Sequence, residues 1–364
     1  MASNDEAGEL AELQSMLNGG TSMSTRGDRR RAQEEQQRSL PPPTKSELQA
    51  MAVEKAVEAL VKYAHDERVV VGCCERWQSL GYGPGRRQSA ADSGALKAIV
   101  GGMKANPSAA LVQEKGALAI ANICSGIDEQ GLGRKALAHE AGCVEALVSG
   151  MSAFPDVAQV LSNSAAALGN ICFAADESGL ERKHAIFEAG ALPLLVGGME
   201  AFPEDVAVAE NSAFALGNIC RALGKVGNAS STGDFSAPEL APIDRQLKQR
   251  QDGVARKQAA ADCGALGALV KALRTHSGEA GVQNWGARAL SIITYESTPL
   301  REQAKAAGAK MQWLMGLSES MDQATKERAI PLSKTGRPTA AQGATGRFGG
   351  GAAKSVRGQS VRGY

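Results

Sequence analysis

The sequence predicts an all-α fold of stacked three-helix units, and three observations carry that prediction. The segments GRRQSAADSGALKAIVGGM, GRKALAHEAGCVEALVSGM, ERKHAIFEAGALPLLVGGM and ARKQAAADCGALGALVKAL, starting at residues 85, 133, 181 and 255, superpose on one another. Gly94, Gly142, Gly190 and Gly264 fall at one place in those copies, and Gly308 holds it in a fifth, QAKAAGAKMQWLMGL. Asn122, Asn170 and Asn218 are spaced by 48 residues, the step that also separates Gly94, Gly142 and Gly190, so two independent features keep one period.

Each unit reads in the same order. A short helix headed by a basic pair comes first, and the Gly then supplies the backbone freedom for a sharp turn. The second helix has an ALxxLVxxM character and stops before Pro107, Pro155 or Pro203, residues that cannot continue it. The third helix ends in the triplet NIC, with Cys124, Cys172 and Cys220 in last place.

At the start, KAVEALVKYAHDERVVVGCCERW keeps the second helix but has a shortened loop and Cys74 where Asn is expected. The last copy stops after MQWLMGL. Both read as end units, whose outer faces must be wetter than those of inner units. From Gly190 to Gly264 the step lengthens to 74, and the excess, rich in Gly, Ser and Pro, reads as an inserted surface loop at about 223–253. About four full units with atypical ends thus span 46–320. Residues 1–45, polar and Pro-bounded, are expected to be disordered, and 321–364 to form a flexible, basic, Gly-rich tail without an acid from Ser333 onward.

Composition agrees with close helix packing. Hydrophobic residues make up 43% of the chain and aromatic ones only 4%, with 42 Gly, which favours small side chains between closely approaching backbones. A net charge of +1 gives no global field to recruit nucleic acid or an anionic membrane. With no apolar run of membrane-spanning length and no signal-peptide pattern at the start, the expectation is a cytoplasmic or nuclear monomer. Its seven Cys read as reduced thiols, those of the NIC triplets acting as small buried hydrophobes. Neither a C-x-x-C pair nor a His near Cys73 and Cys74 offers a metal site, so no metal and no cofactor are expected.

These residues resemble the armadillo repeat, in which a short first helix and a Gly-marked turn precede two longer antiparallel helices. The resemblance covers roughly 46 to 320 and is carried by the Gly-flanked AGALxxLV and by ALGNIC. It is nearer the longer unit of the armadillo region of leucine-rich repeat kinases than the compact unit of importin alpha. It implies a right-handed α-solenoid whose third helices line a concave groove, and a protein-interaction scaffold rather than an enzyme.

The Asn in an otherwise apolar helix bears on that function. At about 100° per residue, Leu168, Ile171 and Cys172 share one side and Asn170 lies roughly opposite. Asn163 and Ala166 fall near Asn170, and the aligned stripes are Lys115, Leu118 and Asn122, then Asn211, Phe214 and Asn218, then Trp285, Arg288 and Ile292. Helices packed about 8 to 10 Å apart meet a peptide rising about 3.3 Å per residue at about every third residue. A carboxamide both donates and accepts, so it can hold a peptide unit whatever its side chain. Asn122, Asn163, Asn170, Asn211 and Asn218, with Phe214 and Trp285 as apolar anchors and Arg288 beside them, are therefore the candidate peptide-binding residues. Two other readings stand beside this one: a solvated Asn without a role, and an Asn that ties its helix to the preceding unit by a buried hydrogen bond.

The resemblance to importin alpha implies a Trp four residues before each Asn, flanking pockets for basic import signals. Leu118, Ala166, Phe214 and Arg288 stand there, so most pocket walls of a nuclear-transport adaptor are missing. The Arg-Gly pairs of the tail leave an RNA-associated adaptor as an alternative, and the tail could also compete for its own groove. His65, His139, His184 and His276 lie far apart with no recurring nucleophile beside them, and no phosphate-loop pattern occurs, which speaks against catalysis. The recurring basic pairs, Arg86–Arg87, Arg134–Lys135, Arg182–Lys183 and Arg256–Lys257, read as a solvated face.

Overall fold

The computed structural model describes residues 41–80, 84–174, 177–221 and 243–317. Helix and loop are the only structures among them, and the compact unit they form begins at Lys45. Its helices are α1 (Lys45–Ala50), α2 (Val53–Lys62), α3 (Glu67–Leu80), α4 (Pro84–Asp92), α5 (Ala95–Ala105), α6 (Ala110–Ile123), α7 (Glu129–Glu140), α8 (Cys143–Ala153) and α9 (Ala158–Ile171). They continue as α10 (Glu177–Glu188), α11 (Ala191–Ala201), α12 (Val206–Ile219), α13 (Ile243–Asp262), α14 (Ala265–Thr275), α15 (Ala280–Thr294), α16 (Thr298–Ala306) and α17 (Met311–Leu314).

Local chemistry sets these boundaries. Gly94, Gly142, Gly190 and Gly264 all adopt φ between 76° and 92°, a left-handed conformation that ends the first helix of a unit and starts the second within one residue. Asp128 and Asp205 cap α7 and α12, accepting from Gly131 N at 2.8 Å and Val208 N at 2.9 Å. Helices α5, α8 and α11 end at Ala105, Ala153 and Ala201, just ahead of Pro107, Pro155 and Pro203.

The third helices pack in sequence, α3 on α6, α6 on α9, α9 on α12 and α12 on α15, and the second helices do likewise from α2 through α5, α8 and α11 to α14. One apolar core runs through all of them, an arrangement compatible with an α-solenoid. Small residues let the third helices approach. An added methyl on Gly217 would lie 3.4 Å from Ala289 Cα, and one on Gly169 would run into the Phe214 ring at 2.4 Å. None of the described helices is long and apolar enough to cross a membrane.

One boundary differs from the sequence expectation. The loop expected at about 223–253 gives way to helix at Ile243, because α13 extends the first helix of its unit by more than two turns toward the N-terminus. The stretch IDRQLKQRQDG contains no Pro and several good helix formers, a signal outweighed in the reading by the Gly- and Pro-rich residues ahead of it. Residues 222–242, the segment 1–40 and the tail from 318 lie outside the described residues.

Candidate functional site

The site is built on the C-terminal halves of α6, α9, α12 and α15. A helix leaves its last four carbonyls without intrahelical partners, and at α9 each of those has been found one. Cys172 N donates to Leu168 O at 3.1 Å and Phe173 N to Asn170 O at 3.2 Å. Asn218 Nδ2 of the next unit donates to Gly169 O at 3.3 Å, and Arg182 Nε to Ile171 O at 2.8 Å. Helix α6 repeats the scheme, with Asn170 Nδ2 on Ala121 O at 2.9 Å and Arg134 Nε on Ile123 O at 2.7 Å.

The NIC asparagine is therefore a cap for the helix one unit earlier. Of the readings that the sequence left open, the inter-unit hydrogen bond is the one these atoms make. Asn163 and Asn211, one to two turns upstream of Asn170 and Asn218, point the same way: Asn163 Nδ2 donates to Glu114 O at 3.3 Å and Asn211 Nδ2 to Ser162 Oγ at 3.0 Å. Among the described residues Asn122 donates to nothing; the unit before it is the atypical first one. At the far end Ile292 stands in the Asn position and has no amide to offer.

Each bond uses one N–H of the carboxamide. Among the described residues nothing donates to the Oδ1 atoms of Asn163, Asn170 and Asn211, and these residues are only half-buried, so the acceptor side stays accessible. Asn218 departs from the expected outward placement, because it is just 3% exposed. Ala166 and Ile292, also in the expected stripe, are buried as well. Asn218 lies where α12 packs on α9, one turn from Phe214.

Those side chains form a continuous run. The Phe173 and Phe214 rings stack with centroids 6.4 Å apart, and Phe214 meets Trp285 edge to face at 4.7 Å. The Arg288 guanidinium sits 5.5 Å from the Trp285 ring, a cation–π distance. Phe214, Trp285 and Arg288 are half-buried, so the sequence assignment of these three to one face agrees with the geometry. Phe173, which follows the NIC triplet, was missed, since it has no counterpart in the other copies.

The basic pairs are a correction to the sequence reading. They are not a solvated face: Arg134 is 0% exposed, and Lys135, Arg182, Lys183, Arg256 and Lys257 are all buried. Arg134 adds a bond to Ser125 O at 2.7 Å, Lys135 Nζ reaches Gly126 O, Lys183 Nζ reaches Ala174 O at 2.7 Å, and Arg256 Nε reaches Ile219 O at 2.8 Å. Cations at a helix C-terminus meet both unpaired carbonyls and the negative end of the helix dipole. Lys257 Nζ donates to Tyr295 O at 3.1 Å. Only Arg86 of the first pair is exposed. A constant interval of eleven residues from Ile123 to Arg134, and from Ile171 to Arg182, was the sequence signal for this cap.

Burial lowers the affinity of these cations for protons. The Lys135 ammonium is brought down to about 8 by desolvation, with Arg182 and Arg134 adding repulsion. Desolvation likewise lowers Arg288 to about 10, with Arg221 the second cause. The thiols move up for the same reason, Cys172 to about 11 and Cys124 and Cys220 to about 12.

Comparison with protein-family models and with curated proteins finds no match. Among the described residues no cluster of three or more His, Cys, Asp or Glu is placed to hold a metal ion. His139 is half-buried within α7, His184 is exposed, and buried His276 bonds the Pro203 carbonyl at 2.9 Å.

Proposed function

We propose that the chain is an armadillo-type α-solenoid acting as a non-enzymatic scaffold, and that it holds an extended segment of a partner protein along the face made by α6, α9, α12 and α15. The observation that carries the reading is the coincidence, on that face, of accessible carboxamide oxygens with the Phe173–Phe214–Trp285 run. The oxygens of Asn163, Asn170 and Asn211 offer acceptors for main-chain N–H groups, and the rings offer an apolar anchor of the kind that dominates binding energy. The Asn residues then serve two purposes at once, with one N–H spent between units and the acceptor side left for a ligand.

The test is a selection of random peptides from a display library on the full-length chain, followed by synthesis of the best binder with alternate amides N-methylated. Main-chain recognition predicts a large loss on N-methylation, and loss of binding to a Phe214→Ala/Trp285→Ala variant that keeps its helicity. Failure to select any peptide, or binding indifferent to both changes, would remove the proposal.

A further inference from the structure

The charges on this face are segregated, and among the described residues two of them have no ion-pair partner. Glu114 and Lys115 neutralise each other at 2.7 Å. Glu210 lies over Gly281 near the start of α15, where Glu279 is the charge that bears on it. Along the remainder of the face α9 and α15 carry no carboxylate, and α12 carries only Glu210.

Arg221 and Arg288 lie on the part of the face where, beyond Glu210, the described helices carry no carboxylate. Arg221 follows α12 directly, and its Nη2 is buried without a hydrogen-bond partner. Arg288 adjoins Ala289, which packs on Gly217, and Arg221 is four residues past Gly217, or about 6 Å along the axis. Among the described residues neither guanidinium makes an ion pair, and Arg288 lies 5.5 Å from the Trp285 ring. Burying a cation without an anion is costly, and here two half-buried cations, one with a buried and unpartnered Nη2, lie near enough to repel each other beside the Trp285 ring. A carboxylate brought between them would relieve both the desolvation and the mutual repulsion.

Resting on the proposed peptide-binding role of this face, we infer that Arg221 and Arg288 form an acidic subsite: the partner segment carries an Asp or Glu whose carboxylate seats between the two guanidiniums, and an adjacent apolar or aromatic side chain that lies on Phe214 and Trp285. Charge complementarity selects this occupant over a basic import signal, which the two cations would repel, and places the specificity of the face in its C-terminal half.

The experiment is peptide-display selection run in parallel on the wild-type chain and on Arg221→Gln/Arg288→Gln. Wild type should enrich an Asp or Glu beside an aromatic residue, and changing that Glu to Gln in a fluorescein-labelled synthetic peptide should weaken binding about tenfold, an effect that fades with added salt. The double variant should keep the aromatic preference and lose the acidic one, and its thermal midpoint should hold or rise, since two unpaired buried charges are gone. Peptides selected without an acid, or with an acid preference that survives the double variant, would overturn the subsite while leaving the groove reading in place. No selectable peptide on wild type would overturn both. Affinity that rises when Asp234 and Glu239 of the chain itself are neutralised would also overturn it, by assigning the subsite to an internal carboxylate.

Discussion

The Nδ2 of Asn170 donates to the carbonyl of Ala121, 49 residues earlier, at 2.9 Å. Ala121 O is one of the carbonyls that α6 cannot satisfy for itself, so a side chain in one unit completes the helix of the previous one. The identity of the residue follows from the task. The donor must be short enough to stay near its own backbone, neutral enough to sit half-buried, and able to accept from elsewhere at the same time. Among the twenty side chains Asn meets those conditions best.

Asn170→Ala should therefore destabilise the fold by about 1 kcal/mol, the usual net worth of such a bond. Asn122→Ala provides the internal control, because Asn122 has the same sequence context and, among the described residues, no bond to the preceding unit. The two variants are compared by urea denaturation, in which the Asn170 midpoint falls and the Asn122 midpoint stays within error. Equal shifts would mean that the hydrogen bond is not what the position contributes.

The basic pairs permit a larger effect. Arg134, 0% exposed, binds the buried Ile123 carbonyl and the part-buried Ser125 carbonyl, and Arg134→Met would leave both acceptors unmet within the chain. At about 1–3 kcal/mol for each such group, a loss of about 3 kcal/mol is expected. Arg86→Met, at the exposed member of the first pair, should fall within about 0.5 kcal/mol of wild type. Chemical denaturation of the two variants separates a cap from a solvated face, since a solvated face would give two small and similar values.

Much of this architecture was legible in the sequence, and the reasons are physical. A period of 48 residues marks identical packing environments, and the recurring Gly and Pro mark turns that few other residues permit. Phe214, Trp285 and Arg288 could be placed together because helical phase alone determines which side chains share a face. What phase cannot reveal is depth. Asn218 and the Arg–Lys pairs were read as outward because they are polar, yet they are buried where carbonyls at a helix end need donors. Polar character gives no direction when backbone acceptors compete with water for the same side chain. The early start of α13 escaped for a different reason, since composition averaged over the insertion hid a helix-forming second half behind a Gly- and Pro-rich first half.

The thiols give a prediction of reactivity. Cys73, Cys74, Cys124, Cys143, Cys172 and Cys220 are buried, and desolvation keeps their sulfurs protonated at neutral pH. Only Cys263 is half-exposed, and its thiol is also raised. Treatment of the native chain with iodoacetamide near pH 8 should label Cys263 slowly and spare the other six, whereas all seven label in denaturant. Rapid native labelling of Cys124 or Cys172 would show that the NIC triplets open to solvent.

Lys135 makes the stability of the fold depend on alkaline pH with a definite sign. Its folded-state value of about 8 is below its ordinary 10.5, so between these values the unfolded chain holds a proton that the folded chain has released. Stability therefore rises with pH through this window and is flat below it, by an amount on the order of 2 kcal/mol. The buried thiols act in the opposite direction above pH 9, where unfolding lets them ionise toward their ordinary value. Their contribution is shared by wild type and Lys135→Met and cancels in the difference between the two. Melting curves of the pair from about pH 7 to about pH 10 should show a difference that shifts in favour of wild type above pH 8. A constant difference would place the Lys135 ammonium in contact with water, and would separate its bond to Gly126 from any role for the buried charge.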